Sequence, residues 1–427
     1  MEETLFPLPP AEGPSETKKP EGRPRLKHAN RKQIEMRPAD LESMIAKDHP
    51  ARLIWDFVEQ LDLAPLYEQI RAVEGHPGQN AIEPKILMAL WLYATPEGVG
   101  SARALDRLCK EHDAYRWLLG GVTVNYHTLA DFRVEHEEYL DALLTQSVAA
   151  LMTEGLVTLN RTAQDGMRVR ASAGINSFQS RPTLQECLRE AEEHVQELRE
   201  ELGSDPAASS RRQRAARDRA RRERSRRVRK ALKNLEVLEK QRKKSHKKRS
   251  KLKAVKASTS DPEARIMRMP DGGFRPAYNA QLTVDTETKV VVGVEVTNMV
   301  DQGQMVPMVA QLERRYGQPP QEHIVDDGFV TLQDLATVSA PHGQTAVYAP
   351  VPSSLKDREV DLGEGTERES PAILAWQRRM KTPGAREIYK ERLYTVEWVN
   401  ALIRNRGLIQ FPVRGLKKVK SVLLWYV

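Results

Sequence analysis

The chain has 427 residues, with 67 Lys and Arg against 59 Asp and Glu and only two cysteines. That length allows more than one domain and a substantial core, while the distant pair Cys109 and Cys187 excludes a disulfide framework or a cysteine metal knuckle and suits a reducing cytoplasm. No run reaches the length of a membrane span and the N-terminus lacks a charged-then-apolar targeting pattern, so a cytoplasmic protein without a membrane partner is expected. The formal charge of +8 is uneven. Between Arg211 and Lys256 stand 23 Lys and Arg and four acids, a surplus of 19 positive charges that leaves the remaining chain at −11. Such a segment is either a solvated charged hairpin or a surface for a polyanion, and nucleic acid is the favoured partner.

Residues 1–30, rich in Pro, Glu and Lys, are expected to form a disordered tail. Residues 31–155 form a helical domain. Asp48-His49-Pro50 opens a helix with Leu53, Ile54, Phe57, Val58 and Leu61 on one face, and Pro84 starts a second. Ser101 caps a helix from Ala102, and Ala114 to Leu119 ends at Gly120-Gly121. Thr128 is the expected N-cap of Leu129 to Glu135. Short helices between tight Gly turns follow the helix-turn-helix pattern, with the last as candidate recognition helix and Asp131, Arg133 and His136 outward. A purely structural or dimerising helical domain is the alternative.

From residue 156 the pattern changes to a mixed α/β layer fold with a central sheet. Leu156 to Ala163 reads as a strand with Asp165 at its end, a turn at Asp165-Gly166, and a return through Met167 to Arg170. Leu184, Leu188, Ala191, Val195, Leu198 and Leu202 then recur at 4-3-4-3-4 intervals as a coiled-coil seam, stopped at Gly203-Ser204-Asp205-Pro206. Residues 180–258 therefore read as an antiparallel, basic helical hairpin inserted into the domain 156–427. Strands resume at Ala277 to Val284 and Val290 to Thr297, a hairpin around Asp285-Thr286-Glu287-Thr288. The helix Gln304 to Arg315, a strand ending in Asp326-Asp327, the helix Leu332 to Ser339 and the strand Ala346 to Pro350 follow. A polar loop with Pro352, Gly363, Gly365 and Pro371 leads to one final helix, Arg386 to Arg406.

Three acids occupy positions that such a sheet would make adjacent: Asp165, Asp326 and Glu397, separated by 161 and 71 residues. Hard carboxylate oxygens at one sheet edge suit Mg²⁺ or Mn²⁺. Two such ions about 3.5–4 Å apart clamp the attacking and leaving oxygens of an in-line phosphoryl transfer. On the last helix, Tyr389, Arg392, Arg404 and Arg406 surround Glu397 with phosphate-binding donors, a role that suits the planar guanidinium fork. Arg133 and Arg168 are further candidate DNA contacts. Any one of these acids alone reads as a solvated surface group or a turn residue; the set of three in this element order is more specific.

Four stretches carry a resemblance: EPKILMALWLYATPEGVGSARALDRLCKEHDAYRWLLGGVTVNYHTLADFR, AQDGMRVRASAG, FRPAYNAQLTVD and YKERLYTVEWVNALIRNRGLIQFPVRG. Together they resemble DDE transposases of bacterial insertion sequences, in the branch with a Tyr-x-x-Arg…Glu…Lys motif on the last catalytic helix, from about Arg37 to Trp425. The resemblance implies an RNase H-like α/β core interrupted by the basic hairpin, beside a helical N-terminal DNA-binding domain. It implies Asp165, Asp326 and Glu397 as ligands of two Mg²⁺ or Mn²⁺ ions, and phosphate contact by Tyr389 and Arg392. The implied activity is cleavage and strand transfer of double-stranded DNA at the element's inverted repeats, in a homodimer on DNA. Three departures stand out. Arg404 replaces the motif's Lys, four residues rather than three separate Arg392 from Glu397, and Asp327 follows Asp326 where Gly is commoner, which leaves either as second ligand. Relatives usually continue past LLW with a further helical stretch. A catalytically silent, C-terminally truncated DNA-binding relic and a metal-dependent DNA nuclease are the rival readings.

Overall fold

The structure, a computed structural model, describes residues 40–72, 80–204, 211–245, 255–339, 345–351 and 371–427. The expected tail at 1–30, Asp205-Pro206 of the expected hairpin stop, and Pro352, Gly363 and Gly365 of the polar loop lie outside the described residues.

Capping chemistry sets the boundaries of the first helices. In α1 (Pro50–Glu59) Pro takes the first position, where its missing N–H costs no bond, and His49 Nδ1 accepts from Ala51 N at 3.1 Å. After a short α2 (Ala64–Tyr67), α3 (Pro84–Ala94) is apolar nearly all round and accordingly buried nearly all round. Helix α4 (Ala102–Glu111) starts at Ser101, and α5 (Asp113–Leu119) ends on Gly120, whose φ of 57° suits a residue without a Cβ. Helix α6 (Tyr126–Glu135) begins three residues earlier than expected, because Asn125 rather than Thr128 is the cap. Asn125 Oδ1 accepts from the N–H groups of His127 and Thr128 at 2.9 and 3.1 Å. A longer helix, α7 (Glu137–Thr153), leads to the sheet.

After β1 (Arg161–Arg170), a two-residue pair, β2 (Phe178–Gln179) and β3 (Ala257–Ser258), closes the base of α8 (Arg181–Ser204) and α9 (Arg211–Ser245). Strands β4 (Arg265–Arg268), β5 (Phe274–Asp285) and β6 (Val291–Thr297) follow, then α10 (Met305–Tyr316), β7 (Glu322–Ile324), α11 (Leu332–Val338) and β8 (Ala346–Tyr348). The chain continues with α12 (Pro371–Met380), α13 (Pro383–Tyr394), α14 (Val396–Asn405) and α15 (Leu416–Leu424). Across the sheet the order is β6, β5, β1, β7, β8, with β4 extending the outer edge of β5. β5 lies antiparallel to β1 and β6, whereas β1, β7 and β8 are parallel.

Two expectations need correction. Asp165-Gly166 is not a turn: β1 pairs with β5 continuously from Thr162↔Asp285 to Arg170↔Ala277, so Asp165 sits in mid-strand. Ala163, Asp165, Met167 and Val169 keep one alternation phase across the Asp-Gly pair, which a hairpin would have broken. The last helix is likewise two helices, α13 and α14, divided at Thr395 with φ −112° and ψ −96°.

Helices α8 and α9 run antiparallel, with Arg181 paired to Glu239 at one end and Arg229 to Glu192 farther along. Leu184, Val228, Ala231, Leu235 and Ala257 bury together between them; the side chains of Leu198 and Leu202 lie outside the described residues. The helical layer and the sheet, expected as separate domains meeting at 155–156, share one hydrophobic core. The C-terminal α15 joins them: Trp425 Nε1 donates to Arg133 O at 3.0 Å and its ring lies 6.3 Å from that of Trp91.

A polar chain threads the opposite sheet face from Asp165. His323, fully buried, accepts from Thr162 Oγ1 at Nδ1 (2.8 Å) and donates from Nε2 to Gln164 Oε1 (3.0 Å). Burial pushes its pKa down to about 3, so the folded protein holds it neutral. The unfolded chain takes up a proton there near the ordinary value of 6.5 and the folded one does not. Stability is therefore expected to fall as pH drops from about 6.5 towards 3, by at most about 1.4 kcal/mol per unit from this residue. Urea unfolding across that range should show a shallower loss for His323→Gln. Equal slopes in the two proteins would remove His323 from the acid sensitivity.

Candidate active site

The parallel pairing of β1 and β7 ends at Ala163↔Ile324, and β1 continues past it paired with β5. Asp165 and Asp326 each lie two residues beyond that pair, on the same side of the sheet by strand alternation. Helix α13 packs over β7 and β8, and α14 over β1 and β5, which brings Arg392 and Glu397 to the same place. On one continuous helix, residues five apart would diverge by about 140°. The break at Thr395, whose Oγ1 donates to Glu391 O at 2.7 Å, allows both to face the strands.

All three acids meet one guanidinium. Arg392 Nη2 donates to Asp165 Oδ1 at 3.0 Å and lies 3.5 Å from Asp326 Oδ2, while Nη1 donates to Glu397 Oε1 at 2.7 Å. The Arg392 side chain is 13% exposed. Burial raises the pKa of Asp165, which Arg392 offsets only in part. Burial also disfavours the charged form of Arg392, but the three carboxylates outweigh it and its pKa rises. Three negative charges against one leave the centre anionic. Among the described residues no group of three acids, His or Cys is arranged to hold a metal ion as it stands; the cation in the gap is the guanidinium.

Tyr389 OH, kept neutral by burial and by nearby Asp326, donates to Asp326 Oδ1 over 3.4 Å. Asp326 also accepts from Asp327 N at 2.8 Å, while Asp327 is exposed beyond the strand end. Of the two, Asp326 is the one beside Arg392.

Asn400 was not singled out from the sequence. It is 6% exposed, donates from Nδ2 to Asp165 Oδ2 at 2.9 Å and leaves Oδ1 buried without a partner. The available signal was Glu397-x-x-Asn400, a three-residue spacing that puts both on one helix face.

The remaining candidates lie elsewhere. Arg404 is half-buried on α14. Arg168 is on the opposite sheet face, where its guanidinium donates to Asp301 Oδ2 at 3.1 Å and Arg268 O at 3.0 Å. Arg133 does not point outward as expected. It is 3% exposed, stacks over Trp91 at 4.4 Å and donates to Gly100 O at 2.5 Å. Its place on the apolar side of α6, between Phe132 and Val134, both buried, makes it an internal cation and withdraws it as a surface DNA contact. Arg133→Ala is expected to cost roughly 2–4 kcal/mol in urea unfolding, through lost stacking and orphaned acceptors, without changing the salt slope of DNA binding. A flattened salt slope at unchanged stability would restore the outward reading.

Comparison with known proteins adds one finding. Residues 39–135 match a family model described as Transposase domain (DUF772). This stretch is similar to a transposase domain. It spans α1 to α6 and ends before all three acids. No curated protein matches, and no solved structure matches. Among the described residues no helix is long and apolar enough to cross a membrane.

Proposed function

We propose that the chain is a DDE-type transposase of an insertion sequence, acting on element ends through Asp165, Asp326 and Glu397. The observation that carries this reading is the convergence of these acids, from three separate elements, on the single guanidinium of Arg392. The transposase-domain match over residues 39–135 supports the general class. The sheet order, with β6, β5 and β1 antiparallel and β7 and β8 parallel to a central β1, supports the RNase H-like reading.

The donor set fits a divalent metal by its chemistry: three hard carboxylates already gathered around one positive charge, a net negative site, and the unpaired Asn400 Oδ1 beside Asp165. Asp165, Asp326 and Glu397 would hold Mg²⁺ or Mn²⁺, as one ion or the expected two. Bound there, the metal would activate an attacking oxygen and stabilise a leaving one on phosphorus. The chain's own residues supply the rest: Asn400 orients Asp165, Tyr389 steadies Asp326, and Arg392 offers a planar fork that suits either carboxylate or phosphate.

For DNA, α9 offers Arg226, Lys233 and Lys240, exposed and at seven-residue spacing along one face. Several other cations of this helix are paired with acids, as Arg224 is with Glu190 and Arg229 with Glu192. Reversing all three charges should weaken binding to element ends and random duplex alike and flatten the log–log salt slope by about 0.9 per phosphate released. An unchanged slope, or a loss confined to element ends, would make the hairpin a spacer or a specific reader.

Incubation with labelled element-end duplex and target DNA in Mg²⁺ tests the whole reading. Cleavage followed by joining supports a transposase. Cleavage without joining indicates a nuclease, and end binding with neither indicates a silent relic.

A further inference from the structure

The same guanidinium that gathers the acids also fills the space between them. Arg392 bonds Asp165 and Glu397 and lies within 3.5 Å of Asp326, and its Nε is buried without a partner. Resting on the metal-dependent reading above, we propose that Arg392 is a resident cation that competes with the divalent ion, and that a DNA phosphate opens the centre by drawing the guanidinium away.

Three carboxylates packed against a sheet repel one another unless a cation lies between them, and in the protein alone that cation is Arg392. A divalent ion must displace it, and the guanidinium, buried where it stands, needs a new anionic partner when it moves. A tetrahedral phosphate supplies one, because two of its oxygens can accept the guanidinium's two parallel N–H bonds as a carboxylate does. Asn400 stays behind to hold Asp165, with its free Oδ1 as a further oxygen at the vacated place. Metal and DNA would then bind cooperatively without any change of fold, each relieving the other of one competing ion pair. The centre would be held closed to metal until DNA is engaged, which guards against cleavage by unpaired protein.

Binding of Mn²⁺ to the full chain, followed through the paramagnetic resonance of the free ion, reads this without turnover. Arg392→Gln is expected to bind Mn²⁺ about 5- to 150-fold more tightly than the wild type, the usual range of a coupling between sites. Adding a short duplex should tighten binding to the wild type and leave Arg392→Gln nearly unchanged; the signal of ions held by the DNA itself is taken from the same complex made with Asp165→Asn. The wild-type comparison with and without duplex needs no variant to fold. Equal Mn²⁺ affinity in the wild type and folded Arg392→Gln, with loss in Asp165→Asn, would overturn the competition and leave the metal-dependent reading standing. So would a wild-type affinity indifferent to duplex. Identical isotherms for all three proteins would overturn both.

Discussion

Asp165→Asn and Glu397→Gln are each expected to lower DNA cleavage by about 10³-fold or more while leaving end binding intact. Each change keeps the shape of its side chain and removes one of three charges facing Arg392. Members of such a unit do not substitute for one another, so losing any of them removes most of the transition-state stabilisation. Asp326→Asn should behave likewise, since Asp326 lies 3.5 Å from Arg392, and Asp327→Asn should cost little because that carboxylate is exposed past the strand. Single-turnover cleavage beside duplex-binding curves checks all four. Wild-type rates in any of the first three would remove that residue from the site, and a dead Asp327→Asn beside an active Asp326→Asn would shift the assignment by one.

Gly166→Ala should destabilise the fold by about 1–3 kcal/mol, the cost of forcing a methyl into filled space. A Cβ at this position would lie 1.9 Å from Asp301 Oδ1, 2.6 Å from Gln281 Nε2 and 2.7 Å from Asn279 Oδ1. Asp301 cannot simply retreat, because it accepts from Asn279, Gln281 and Arg168. Asp301→Ser shortens the obstructing side chain, so Gly166→Ala should cost less in that background than in the wild type. Urea unfolding of the four proteins of the cycle gives the coupling. Strictly additive costs would mean that the glycine is needed for something other than the carboxylate beside it. Because Asp165 precedes Gly166 in the strand, the same change should also disturb the acid centre.

Strand alternation and capping made much of the architecture legible. The β5–β6 hairpin, α10, β7 and α11 fall within a few residues of their expected limits, since each is bounded by a turn or a cap written in the local sequence. Asp165, Asp326, Glu397, Tyr389 and Arg392 could be singled out because acids beside apolar, strand-like runs and Arg on a late helix are visible without coordinates, although Asp165 lies in mid-strand rather than at the expected strand end. What the sequence hid was long-range. Asp-Gly is a turn signal in isolation, and only the approach of Asp301, 135 residues later, explains a glycine in mid-strand. Arg133 reads as a surface cation until Trp91 and the C-terminal Trp425 close over it. The break at Thr395 has no Gly or Pro to announce it, and it alone reconciles the five-residue step from Arg392 to Glu397 with a shared target. Asn400 went unnoticed because an amide gains meaning only once its carboxylate partner is known.

The proposed activity depends most directly on Asp165, Asp326 and Glu397 forming one metal-binding centre. Crystals of the full chain with duplex DNA and Mn²⁺, measured at the manganese absorption edge, locate the ion independently of activity. The expected result is anomalous density bounded by these three carboxylates, with the Arg392 guanidinium turned from them towards a phosphate. Manganese bound elsewhere, or three carboxylates still closed on Arg392 beside engaged DNA and saturating metal, would contradict it.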